Sequence, residues 1–279
     1  MKKHTVTILL IAAMLIGLSL LLYPSFSDWW NSFHQSRAIA TYSKTVEALD
    51  PESCQAVWNE AEDYNAGLLE RPNSFLLSQE QKETYRQLLD AGGNGIMGYV
   101  EIPSISVRLP IYHGTEEGVL QVAAGHLEWT SLPVGGESSH CVISGHRGLP
   151  SARLFTDLDE VEEGDLFRLH VLDQVLTYQV DQILVVEPQD TEELMIREGE
   201  DLCTLVTCTP YGINSHRMLV RGKRVENPET EAAVTVLSSA VRLDPAAAAP
   251  VAAIPILAVL LILWLLPRKK HGGDRDEST

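Results

Sequence analysis

The chain has 279 residues, 45% of them hydrophobic, with a formal net charge of -17 and an isoelectric point near 4.9. That length suits one sizeable domain with appendages. So acidic a chain excludes a nucleic-acid partner, whose phosphates need a basic patch.

Val6–Tyr23, VTILLIAAMLIGLSLLLY, carries no charge and approaches the length of a membrane span. Lys2 and Lys3 precede it, and Trp29 and Trp30 follow where an interfacial aromatic belt would lie. A cleaved signal peptide is the rival reading, but no small-x-small cleavage site follows in Pro24–Trp30. Residues 1–23 are expected to be an N-terminal transmembrane anchor. Residues 24–95 are expected to be a helical region. Ser36–Leu69 has Ala, Glu and Leu at helical spacing and reads as one helix. ERPNSF, Glu70–Phe75, breaks it, and Ser78–Leu89 reads as a second helix with Ser78 as N-cap.

From Ile96 the pattern changes to short β-rich runs broken by Gly and Pro. IMGYVEIPSISVRLPIY, HCVISG, LFRLHVL, VLTYQVDQILVV, LCTLVTC and RMLVRGKRV are strand candidates, which together suggest a barrel or sandwich over residues 96–226. Residues 227–245 read as a linker. Residues 246–267 form a second apolar run, expected to be a C-terminal transmembrane helix. Arg268, Lys269 and Lys270 open a tail, 268–279, that turns acidic. Basic residues flank the outer end of each run, so both termini are expected in the cytoplasm and everything between them outside.

Outside the cell, disulfides are chemically allowed. Cys54, Cys141, Cys203 and Cys208 include no CxxC pair, which argues against a zinc or redox motif. Two disulfides are arithmetically available, but a domain of this size holds a core without them. The acidic residues are scattered and suggest no calcium site; nothing in the sequence implies a cofactor.

Cys208 ends the run LCTLVTC, and Pro210 and Gly212 then force the chain out of the strand. Alternation puts Cys208 on one face with Thr204 and Val206, and Cys203 on the other with Leu205 and Thr207. His146 ends another apolar run between Gly145 and Gly148; His113 and His126, also beside glycines, are its rivals. Arg217 opens the strand after the loop TPYGINSH and returns to Cys208 if the two strands pair; Arg147 and Arg221 are alternatives. A thiol, a proton carrier and a guanidinium that holds developing oxyanion charge make a thioester-forming acyl transferase.

TLVTCTPYGINSHRMLVRG, Thr204–Gly222, resembles the cysteine–arginine signature of sortases, and of their pilus-assembling class C group in particular. GIMGYVEIPSISVRLPIYHGT resembles the family's opening strands, and GHLEWTSLPVGGESSHCVISGHRGLPSARLFTDLD the segment with its catalytic histidine. The likeness is dense from Ile96 to Val225, with a weaker echo at AEDYN, Ala61–Asn65. It implies a mainly β fold, an eight-stranded barrel with peripheral helices, flanked by two transmembrane helices. It implies Cys208 as nucleophile, His146 as acid and base, Arg217 as oxyanion-side residue, and Thr207 as a substrate or intermediate support. The implied substrate is a pilin or surface protein with an LPxTG-like motif, cleaved between Thr and Gly and passed to a pilin lysine. The alternatives are a housekeeping sortase that uses a cell-wall precursor amine, a hydrolytic cysteine protease, and a non-catalytic assembly scaffold. Relatives also carry a lid with an Asp-Pro-aromatic triplet. The comparable stretch here has Pro72 and Phe75 but no such triplet, so a weakly held lid is expected.

Overall fold

The structure, a computed structural model, describes residues 2–70 and 76–227. They divide into residues 2–25 and residues 26–227. The candidate lid residues Pro72 and Phe75, the second apolar run and the basic tail lie outside the described residues, as does all of the linker beyond Asn227.

The first helix, α1 (Lys2–Glu47), runs through the apolar stretch and far past it. Within 2–25 its large apolar side chains, among them Leu9, Ile16 and Leu20, are exposed. The single helix expected over Ser36–Leu69 is in fact two. Pro51 has no N–H to give and drives Asp50 to extended backbone, which ends one helix and opens the next, α2 (Pro51–Leu69). The Asp50 carboxylate accepts the Ser53 N–H at 2.9 Å and caps α2. A short third helix, α3 (Gln79–Gln87), follows Ser78, the N-cap read from the sequence, and the structure adds a complete capping box to Gln81.

Helices pack on the barrel through single stripes. α1 turns Ile39, Tyr42 and Val46 inward; α2 turns Cys54, Ala61, Tyr64 and Asn65. The Asn65 amide donates to the Leu132 carbonyl at 3.1 Å and accepts its N–H at 2.7 Å, which pins α2 to the loop ahead of the fourth strand. Residues 96–225 hold β1 (Ile96–Ile102), β2 (Val107–His113), β3 (Ala124–His126), β4 (Ser139–Ser144), β5 (Leu166–Val171), β6 (Gln174–Val186), β7 (Asp201–Thr209) and β8 (His216–Val225). A one-turn helix, α4 (Glu117–Leu120), sits between β2 and β3. β3 has three residues and no alternation of its own, and no sequence pattern marks it.

The strands close a barrel in the order β1-β2-β3-β4-β7-β8-β6-β5. Two pairings are parallel, β2 with β3 and β4 with β7. The inner face holds the core, with Ile96, Ile102, Ile111, Ile143, Phe155, Phe167, Leu205 and Tyr178 fully buried. A smaller cluster of Val142, Leu194, Val206 and Leu219 sits on the outer face of β4, β7 and β8.

Tyr42 is the polar bolt between helix and barrel. Its buried hydroxyl donates to the Met97 carbonyl at 2.9 Å and accepts the Leu172 N–H at 2.7 Å. Tyr42→Phe keeps the ring and strands both partners, so it should cost about 1–3 kcal/mol of unfolding free energy. Chemical denaturation of the soluble domain measures it; an unchanged midpoint would show that the bolt carries no stability.

Candidate active site

The parallel register of β4 and β7 decides where the candidate residues meet. Ser144 stands beside Val206, so the chain two residues beyond Ser144 comes level with Cys208. That residue is His146. β7 then turns back antiparallel into β8, with Cys208 directly across from Arg217. Paired residues on neighbouring strands share a face. The outer face therefore carries three rows across four strands. Gln182, Arg221, Thr204 and Val142 form one row; Leu184, Leu219, Val206 and Ser144 form the next. Val186, Arg217 and Cys208 form the last, at the strand ends, and His146 extends it.

Of the four cysteines, Cys208 alone is partly exposed; Cys54, Cys141 and Cys203 are buried. Cys141 and Cys203 are register partners on the inner face of β4 and β7. Burial pushes the Cys203 thiol well above its usual range, which keeps it protonated and inert. His146 and Arg217 are also partly exposed. Among the described residues the His146 imidazole makes no hydrogen bond, and Arg217 makes no ion pair. The Arg217 guanidinium rests on its own loop through Nη1, which donates to the carbonyls of Asn214 (3.3 Å) and His216 (3.1 Å).

The rivals are all occupied elsewhere. His113 faces the carbonyls of Gly95 and Leu88 through its two ring nitrogens. His126 is fully buried between the Tyr85 hydroxyl and the Ser131 carbonyl. His140, which the sequence does not single out, bonds Met195 and Thr204, and burial pushes its pKa down to about 4. Arg221 is held in a two-bond fork by Asp181, at 3.0 and 2.7 Å. Arg147 pairs with Asp159 and donates to Thr209 Oγ1 at 3.3 Å.

Two ties fix the gap between the thiol strand and the histidine loop. Thr207, buried beside Cys208, donates its hydroxyl to the Gly145 carbonyl at 2.8 Å. Arg147 makes the second through Thr209. A Cβ at position 145 would lie 2.5 Å from the Phe155 ring, so only glycine lets the chain pass this close. The loop then folds back, with the Phe155 N–H on the His146 carbonyl at 3.1 Å. Sequence reasoning finds Thr207 by resemblance, but not its bond to Gly145. The bracketing glycines of SGHRG are the only signal of that close approach.

Along the same outer face, Gln182, Leu184, Glu193, Thr204, Leu219 and Arg221 line a shallow dent. Thr204 lies four residues, about 13 Å along the strand, from Cys208. The residues between are apolar: Val206 and Leu219, with Leu194 above them. No group of His, Cys, Asp and Glu that could hold a metal ion occurs among the described residues.

A sortase-domain family model matches residues 100–225. Sortase D of Bacillus subtilis is 32% identical over 131 residues, 46% of this chain. Sortase A of Streptococcus agalactiae is 31% identical over 117 residues, 41% of this chain. These matches span less than two thirds of the curated relatives' own lengths, 63% and 47%. Among solved structures, sortase C1 of Streptococcus agalactiae is 47% identical with a TM-score of 0.67, over 69% of this chain and 100% of that one. Sortase C of Streptococcus pneumoniae, whose structure bears on that enzyme's catalysis and pilin substrate specificity, is 49% identical with a TM-score of 0.63. It covers 68% of this chain and 97% of its own.

Thr207→Val keeps shape and removes the tie to Gly145, leaving a buried carbonyl unpaired at a cost of about 1–3 kcal/mol. Thermal unfolding should register that loss. The rate at which a small alkylating reagent labels Cys208 should also change, because the strand end loosens. Unaltered stability and labelling would show that the bond does not hold the site.

Proposed function

Because the chain belongs to the sortase family, we propose that it is a cysteine transpeptidase acting on polypeptides with an LPxTG-like sorting motif. The observation that carries the reading is the last row of the outer face. It puts the one partly exposed thiol across from an arginine that makes no ion pair among the described residues, and level with the histidine two residues beyond β4.

In the proposed reaction, Cys208 Sγ attacks the carbonyl carbon of the motif's Thr. Arg217 donates to the oxygen as it gains charge, and its planar fork suits that task better than an ammonium would. The Thr–Gly C–N bond breaks, and His146 gives the departing Gly amine its proton. The acyl group is now a thioester on Cys208. An amine then attacks, passes its proton to His146 and expels the Cys208 sulfur, which returns the site to its starting state. With class C sortases among the structural neighbours, we assign the amine to a lysine of a pilin subunit, so the product is an isopeptide bond. Thr207 supports this chemistry by holding the thiol strand against Gly145. The length and apolar composition of α1 support membrane attachment; the basic residues on the outer end of each apolar run, Lys2 and Lys3 and then Arg268 to Lys270, are our ground for placing both termini in the cytoplasm and the catalytic domain outside.

The test is intact mass spectrometry with a sorting-motif peptide, followed by product analysis with lysine-containing acceptor peptide. Cys208→Ala should abolish the thioacyl adduct, while Cys141→Ala and Cys203→Ala keep it. His146→Ala and Arg217→Ala should each lower turnover by about 100-fold or more, and Arg217→Lys should recover little. An adduct that survives in Cys208→Ala would overturn the nucleophile. Near wild-type turnover in Arg217→Lys would reduce Arg217 to a generic charge. Free acid or a non-lysine amide as the sole product would reassign the acceptor.

A further inference from the structure

We propose that the turns Phe26–Phe33 of α1 seat the histidine end of the barrel on a lipid–water interface. The proposal rests on the membrane-attached reading above and adds which part of the catalytic domain meets the lipid, and why.

At about 100° per residue, α1 presents two opposed faces over these turns. Asp28, Asn31 and Gln35 lie on one face and continue the buried stripe of Ile39, Tyr42 and Val46. This face is bonded to the barrel. Asp28 Oδ1 accepts the Arg153 N–H at 2.8 Å, Asn31 Nδ2 donates to the Ser151 carbonyl at 2.8 Å, and Gln35 Nε2 donates to the Val122 carbonyl at 2.7 Å. Ser151 and Arg153 belong to the loop that leaves His146 and returns to it through Phe155.

Phe26, Trp29, Trp30 and Phe33 lie on the opposite face, each more than half exposed. Their rings contact one another along the helix: Phe26 stacks on Trp30 and lies tilted against Trp29, and Trp29 stacks on Phe33. Four large exposed aromatics on one face of a water-soluble helix would be an unexplained apolar patch. Further along, the same face changes character: Arg37, Thr41 and Lys44 are exposed there. Before Phe26 the sequence is the charge-free run Val6–Tyr23. Apolar, then aromatic, then charged is the order in which a helix leaves a bilayer. Phe26 to Phe33 spans about 10 Å of helix, the scale of one headgroup layer.

The aromatic face and the face bonded to the loop share the same helical turns, so they lie at one height. If lipid headgroups surround the first, the loop after His146 lies at the bilayer surface. A peptide donor must then be met there, and a donor that is itself tethered to the bilayer arrives at the right level.

The experiment uses the full chain in phosphatidylcholine–phosphatidylglycerol bilayers, with Trp58, Trp129 and Trp264 replaced by Phe so that only Trp29 and Trp30 emit. Lipids brominated near the headgroup should quench this emission more than lipids brominated deep in the chains. A second arm compares turnover of one sorting-motif peptide, free or lipid-linked, by wild type and by Trp29→Ser with Trp30→Ser. The double variant should lose several-fold on the lipid-linked donor and nothing on the free one. Absence of quenching, or stronger quenching from deep bromines, overturns the proposal. So does unquenched emission joined to concentration-dependent cross-linking, which would assign the face to a second copy of the chain. Equal turnover of both donors by wild type and variant would also overturn it. The quenching needs no catalysis, so a chain that fails to turn over any peptide leaves this arm readable and faults the transpeptidase reading instead.

Discussion

The parallel pairing of β4 with β7 is the constraint on which the rest depends. Antiparallel neighbours would put the ends of these strands at opposite rims of the barrel. Parallel neighbours finish at the same rim, so the residue after β4 and the last residues of β7 arrive together. A slip of one residue would turn Cys208 to the inner face, where Cys203 and Leu205 now pack. The register is held against such a slip from both sides. Cys141, Ile143, Cys203 and Leu205 fill the inside, and Val142 and Val206 anchor the outer cluster.

The ties at the rim refine what the register sets. The Thr207 hydroxyl on the Gly145 carbonyl and the Arg147 link to Thr209 both cross from the thiol strand to the histidine loop. Neither uses His146, Cys208 or Arg217 side chains. Among the described residues the three side chains are thus left without ion pairs, Arg217 resting only on carbonyls of its own loop, while the backbone beneath them is fixed. That is the arrangement a site needs if binding geometry is set before the substrate arrives. From the far side, α1 grips the same loop at Ser151 and Arg153, so the histidine segment is clamped between β7 and a helix.

Much of this is legible in the sequence. Alternation in LCTLVTC and RMLVRGKRV marks β7 and β8 and predicts that Cys208 and Cys203 face opposite ways, which they do. The Ser78 N-cap is equally plain, though not its reciprocal bond with Gln81. What escapes are features without a local pattern. β3 is too short to alternate. The break at Asp50–Pro51 is hidden inside helix-favouring composition, although a proline after a capping aspartate is its signature. The pairing of β4 with β7 joins residues about sixty positions apart and leaves no trace in either segment. The echo at AEDYN is explained only by Asn65, whose amide closes on the backbone of Leu132.

The central claim is that this register makes His146 and Arg217 act on one reacting centre at Cys208. A double-mutant cycle on the rate of thioacyl formation tests it most directly, with wild type, His146→Ala, Arg217→Ala and the double variant. Groups that serve the same transition state are strongly non-additive. The double variant should lose far less than the product of the two single losses. Single losses that simply multiply would mean the two residues act independently, and would contradict it.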